Sequence, residues 1–194
     1  MPTEIQFNEV VFMLEKLQTS PSRKLVILIT LISLIPFLII TIIFQLDAAI
    51  LASSGSPYGI VSFEFAFSEA MAKTILTDWG PTLIPVVLRG VYMDFGYIAS
   101  YGLFMMGIMI LIVRALKDRW QSIALFCAIS PFIAGAFDII ENINLIVMLN
   151  DPVGFPSLVP TVASICAIFK FGFLLLVIGF AAIAGIVLLI KKLR

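Results

Sequence analysis

The chain has 194 residues, of which 61% are hydrophobic and 12% charged, and its mean hydropathy is +1.15. That composition is too apolar for a soluble domain and fits one small polytopic membrane bundle. Basic and acidic residues balance at twelve each, which removes any general attraction to nucleic acid. The chain has no histidine, which excludes histidine-ligated haem, histidine-rich metal sites and histidine general bases. We expect no metal and no cofactor.

The N-terminal part predicts a cytoplasmic segment, residues 1–24, with an amphipathic helix that lies along the membrane. Thr3 and Gln6 match a capping box, and apolar residues follow at helical spacing until Ser20-Pro21 ends the helix. The apolar run 25–46 is too long for a signal peptide, and its leader carries glutamates, so we expect a transmembrane helix that stays in the mature protein.

Residues 47–90 form the longest connection that carries polar side chains. A turn-rich stretch at 53–59 leads into a helical pattern of large apolar residues spaced by four, which ends at Gly80-Pro81. Trp79 beside charged residues is typical of the headgroup layer. We expect an interfacial helix that lies on the bundle as a lid or re-entrant piece, and an ordinary interfacial loop helix is the alternative.

Three more apolar runs complete a four-span, all-α membrane domain, residues 25–190. The spans are predicted at 25–46, 91–113, 120–149 and 161–190, and a basic tail, 191–194, follows. Nine of the twelve basic residues fall on one side of this bundle. By the positive-inside rule both termini are cytoplasmic, and the 47–90 connection faces outward. We expect an integral protein of a bacterial or archaeal plasma membrane.

Ionisable and amide side chains lie inside three of the four spans. Asp138, Glu141 and Asn142 share one face of the third predicted helix, and Lys170 lies in the fourth. A third set shares one face of the second span: Asp94, Tyr97 and Tyr101. An ionisable group in mid-bilayer costs on the order of 3 kcal/mol, so these groups must face inward and find partners.

At about 1.5 Å per residue the polar groups of the three helices come to overlapping depth in the outward half of the bundle. We expect Lys170 to pair with Asp138 or Glu141, and Asp94 to pair with Arg89 at the rim or with the tyrosines. One carboxyl group is then left protonated or paired with a ligand. The predicted ligand-binding or proton-relay residues are Asp94, Tyr97, Tyr101, Asp138, Glu141, Asn142 and Lys170, with Glu64, Trp79 and Arg89 at the rim or lid.

The order of these residues resembles a group of small bacterial four-helix integral membrane proteins. The resemblance rests on Pro57-Tyr-Gly-Ile-Val-Ser-Phe-Glu64-Phe-Ala, Trp79, Asp94 with Tyr101, Asp138-x-x-Glu141-Asn142 and Lys170. It covers most of residues 57–170 and implies no activity. It implies that Glu64 belongs with the intramembrane acids, whereas the residues by themselves favour a solvated Glu64 in a loop.

Three functions remain open from the sequence. The first, which we favour, is binding or transport of a lipid headgroup or a small polar or cationic solute at an outward-opening acidic site with a lysine. The second is a non-catalytic accessory or assembly subunit of a larger membrane complex, and the third is a lipid-modifying enzyme that uses a carboxylate pair. The buried charges also fit a purely structural role in fixing helix register. Expected partners are membrane lipid and a second copy of the chain or a larger complex, but not nucleic acid.

Overall fold

The computed structural model describes residues 16–193, except for the side chains of residues 118, 119, 192 and 193. The described part of the chain is all helical, as predicted. The helices are α1 (Arg23–Ser53), α2 (Ile60–Glu64), α3 (Glu69–Val113), α4 (Asp118–Asn150) and α5 (Val159–Leu193). The predicted N-terminal helix lies almost entirely outside the described residues.

Four of the helices are long and apolar enough to cross a membrane: Arg23–Ser53, Glu69–Val113, Trp120–Asn150 and Val159–Lys191. Much of the predicted 47–90 connection is therefore helical. The helix α1 continues to Ser53, and α3 contains a kink at Gly80, where φ is 55° and ψ is −169°. A new helical segment begins directly at Pro81, because proline suits the first turn, where its missing N–H is not needed.

Antiparallel neighbours build the bundle in chain order, with α1 against α3, α3 against α4 and α4 against α5. One end, which we call the terminal end, holds the start of α1 and the end of α3. There Arg114 donates from Nε to the carbonyl oxygen of Leu17 at 3.0 Å and from Nη2 to that of Pro21 at 2.6 Å. The opposite end, which we call the α2 end, holds α2 and the kink of α3.

The core of the α2 end is aromatic. Phe63 and Trp79 are 0% and 2% exposed, and their rings meet edge to face with centroids 5.1 Å apart. The indole N–H of Trp79 donates to the carbonyl oxygen of Tyr58 at 3.0 Å. Trp79 thus lies in the protein core, where its one polar atom has a partner inside the protein.

The short helix α2 is attached to α5 by the segment that follows it. The Ser164 hydroxyl donates to the Glu64 carbonyl oxygen at 2.7 Å and accepts from the Phe67 N–H at 2.9 Å. Thr161 donates to the Phe67 carbonyl oxygen at 2.7 Å, and Phe67 has a φ of 56°. These bonds hold the chain against α5 and turn the side chain of Glu64 into the bundle.

The contact between α1 and α3 depends on Gly107. A Cβ at this position would lie 2.0 Å from Thr30 Oγ1 and 3.0 Å from Thr30 Cβ. Thr30 cannot easily move aside, since its hydroxyl donates to the Val26 carbonyl oxygen at 2.8 Å. We therefore predict that Gly107→Ala destabilises the protein by about 1–3 kcal/mol through overpacking, measured by denaturant or thermal unfolding in mild detergent.

Two further variants test this explanation. Gly179→Ala is the matched control, because a Cβ there meets nothing within 4 Å. Adding Thr30→Ala to Gly107→Ala should restore most of the lost stability by removing the clashing oxygen. If Gly107→Ala unfolds at the same point as Gly179→Ala, the close approach of α1 and α3 is not as described.

Candidate functional site

Two hydrogen bonds join the polar faces of α3 and α4. Because the two helices are antiparallel, Asp94 lies opposite Asn142, and Tyr101 lies opposite Asp138. Asn142 Nδ2 donates to Asp94 Oδ2 at 2.6 Å, and the Tyr101 hydroxyl donates to Asp138 Oδ2 at 3.0 Å. Four of the predicted site residues thus meet in pairs at the interface between the two central helices.

Lys170 lies at the centre of three carboxyl groups. Its Nζ is 2.8 Å from Glu141 Oε2, 3.2 Å from Asp138 Oδ1 and 3.5 Å from Glu64 Oε1. The side chains of Lys170 and Glu141 are 7% and 0% exposed. We call these four residues the Lys170 cluster. The structure brings the lysine to both partners expected from the sequence and adds Glu64 as a third.

The Glu64 side chain is largely shielded from solvent. The sequence around it predicts a solvated loop residue, and that prediction is wrong. Its side chain is 12% exposed, and Oε2 is a buried atom with no hydrogen-bond partner among the described residues. Burial raises the pKa of Glu64 because water is excluded from the charged form, and the nearby ammonium group of Lys170 offsets part of that rise. The attachment of α2 to α5 is what carries this carboxyl group inward.

The expected partners of Asp94 are also wrong. Arg89 pairs with Asp47 on α1, and Asp94 instead accepts from the amide of Asn142. The Tyr97 hydroxyl lies 3.4 Å from Thr41 Oγ1, on the side of α1. The predicted site lacks Asp47 because the predicted span ends at residue 46, one residue before it. The Ala-Ala-Ile-Leu-Ala run at 48–52 is the signal that the helix continues beyond it.

A cavity of about 350 Å³ lies at the α2 end, between α1, α2 and α3, and reaches α4. Asp47, Glu64, Asp94 and Asn142 place polar groups in its lining. The rest of the lining is mostly apolar and includes Phe44, Leu51, Tyr58, Val87, Val91 and Leu145. The cavity could hold a small molecule that combines a charged group with hydrocarbon.

Carboxyl groups outnumber cationic groups around this cavity and the Lys170 cluster. Among the described residues five carboxyl groups share the charges of Arg89 and Lys170. Asp47 is 8% exposed, and its Oδ2 has no hydrogen-bond partner in that part of the chain. Buried carboxylates without counter-charge either take up protons or bind a cation. The five carboxyl groups are those of Asp47, Glu64, Asp94, Asp138 and Glu141.

Comparison of the chain with protein-family models, curated proteins and solved structures finds no match.

The ion pairs of the Lys170 cluster can be tested by infrared spectroscopy. In Lys170→Met the carboxyl groups of Glu64, Asp138 and Glu141 lose their shared cation, and at least one should take up a proton. Infrared difference spectra of the variant against the parent protein should then show added absorption in the carbonyl-stretch region of protonated carboxylic acids.

Lys73→Met is the matched control, because Lys73 pairs at 2.7 Å with Glu69 on a partly exposed helix face. This variant should show no such absorption. Adding Glu141→Gln to Lys170→Met should reduce or shift the new band if Glu141 carries part of it. Identical spectra for Lys170→Met and the parent protein would contradict the ion pairing described here.

Proposed function

We propose that this chain is an integral membrane protein that binds, and carries, a small organic cation bearing an ammonium group in the cavity at the α2 end. The observation that carries the proposal is the cavity itself, which has carboxyl groups in a mostly apolar lining. Asp47, Glu64 and Asp94 lie in that lining, and among the described residues the five carboxyl groups of this region face two cationic groups, those of Arg89 and Lys170. An ammonium group would supply the missing positive charge.

The apolar lining supports a ligand with a hydrocarbon part over a bare inorganic ion. Aliphatic side chains of α1, α3 and α4 line the cavity, and Phe44 and Tyr58 add aromatic rings. Aromatic faces attract ammonium groups, and burial of each methylene of a ligand adds about 0.8 kcal/mol. A free amine and the amine headgroup of a lipid share this chemistry, and both fit the site.

The charge distribution supports an outward-facing cavity. The basic residues Arg23, Lys24, Arg114, Lys117 and Lys191 lie at the terminal end, opposite the cavity. By the positive-inside rule the terminal end is cytoplasmic. In this proposal the solute enters from the outward side, Asp94 and Glu64 bind it, and Asp138, Glu141 and Lys170 couple binding to the helices beneath.

Asp94→Asn tests the proposal. Binding of primary alkylammonium ions of increasing chain length to the purified protein is measured by isothermal titration calorimetry in detergent and in nanodiscs. The parent protein should bind these ions and not the alcohols of equal length. Asp94→Asn keeps the shape of the side chain but removes its charge, and we predict a loss of affinity of at least about tenfold.

Glu69→Gln is the control, because Glu69 also lies on α3 but is 39% exposed and pairs with Lys73. It should bind as the parent protein does. Nanodiscs with and without phosphatidylethanolamine separate the two sources of the ligand, since a headgroup that occupies the cavity will compete with the free amine. Equal binding of alcohols and amines, or unchanged binding in Asp94→Asn, would refute a carboxylate-based cation site.

A further inference from the structure

Glu64 is the carboxyl group that belongs to both the cavity and the Lys170 cluster. The cavity is lined by the carboxyl groups of Asp47, Glu64 and Asp94. Those within ion-pair distance of Lys170 are Glu64, Asp138 and Glu141. Among the described residues, Glu64 alone appears in both sets. A charge that enters the cavity therefore acts on the cluster most directly through this side chain.

In the empty cavity the charge of an ionised Glu64 would be poorly compensated. Its Oε1 lies 3.5 Å from Lys170 Nζ, farther than the oxygens of Glu141 and Asp138, with which it shares the ammonium group. Its Oε2 is buried and has no hydrogen-bond partner within the described part of the chain. Protonation removes the cost of this charge. The raised pKa of Glu64, caused by burial, agrees with this.

Each of the other titratable groups that face this region has at least one close charged or hydrogen-bonding partner, although Asp47 Oδ2 and Glu141 Oε1 also lack a hydrogen bond among the described residues. Asp47 pairs with Arg89, Asp94 accepts from Asn142, and Asp138 accepts from Tyr101. Glu141 is the nearest partner of Lys170, at 2.8 Å. The charged and titratable groups of this region come from all five helices: Asp47 on α1, Glu64 on α2, Arg89, Asp94, Tyr97 and Tyr101 on α3, Asp138 and Glu141 on α4, and Lys170 on α5.

We propose that Glu64 exchanges a proton for the bound cation: it is protonated when the cavity is empty and gives up that proton when an organic ammonium ion binds. This inference rests on the proposed function. The O–H bond of the carboxyl group breaks, the proton passes to bulk water, and the carboxylate formed pairs with the ammonium group. The total charge of the site is unchanged by the exchange, so the cation enters without adding net charge to a low-dielectric interior.

The exchange fixes the sign of the pH dependence. At low pH a proton competes for Glu64, so cation affinity should fall by about tenfold for each pH unit below the range in which Glu64 loses its proton, until it reaches the weaker affinity of a site with a neutral residue at position 64. Above that range affinity should become independent of pH, and no proton should be released. In the cell, such a site would couple movement of the cation to movement of a proton in the opposite direction.

Calorimetry in buffers of different ionisation enthalpy counts the protons released with each bound cation. With an alkylammonium ion the parent protein should release close to one proton per cation at the acidic end of the titration. Infrared difference spectra on adding the same ion should show loss of a protonated carboxyl band. This second measurement needs no variant, so it tests the exchange even if a substitution disturbs folding.

The variant Glu64→Gln tests whether the released proton comes from Glu64. The variant should still bind the alkylammonium ion through Asp94, more weakly than the parent protein, but it should release no proton and lose the infrared signal. Glu69→Gln should behave as the parent protein does. If the parent protein binds the cation without releasing a proton at any pH, or if Glu64→Gln still releases it, the inference fails and the cation site stands. If no alkylammonium ion binds at any pH, both proposals fail.

Discussion

One buried ammonium group determines how the helices at the α2 end fit together. Lys170 on α5 contacts Asp138 and Glu141, one turn apart on α4, and Glu64 on α2. None of these side chains can face hydrocarbon without a cost of several kcal/mol. Their meeting therefore fixes the rotation of α4 and α5 about their axes, and it draws a five-residue helix into the bundle that would otherwise remain on its surface.

The cavity is a consequence of the same contacts. Because α2 is held against α5, Ile60, Glu64 and the preceding residues 56–59 form one wall, and the end of α1 and the middle of α3 form the others. Glu64 connects this wall to the cluster, since it lines the cavity and its Oε1 lies 3.5 Å from Lys170 Nζ. The bonds between Asp94 and Asn142 and between Tyr101 and Asp138 join α3 to α4 beside it. A charge in the cavity therefore acts on the middle of the bundle through a short contact.

The sequence predicted the features that depend on helical periodicity. Hydropathy shows the long helices, and spacing shows that Asp138, Glu141 and Asn142 share a face that must turn inward to a partner such as Lys170. It could not place Glu64, because α2 is too short to show a period and its side chain is turned inward by tertiary bonds from Ser164 and Thr161. Gly80-Pro81 predicts the end of a helix, but proline is also common in the first turn of a helix, and a second helical segment begins there.

A purely structural role explains the ion pairs of Lys170 but not the additional carboxyl groups around them. A buried ion pair that fixes helix register needs one acid for each base, and every additional buried carboxylate adds a desolvation cost. Among the described residues this region holds five carboxyl groups and two cationic side chains, and Asp47, Glu64 and Glu141 each keep a buried oxygen without a hydrogen bond. Glu141 lies 2.8 Å from Lys170, whereas Asp47 and Glu64 line the cavity. The deficit of positive charge at these two residues therefore lies where a bound cation could compensate it. A cation-binding site requires this placement, whereas an ion pair that only fixes helix register does not.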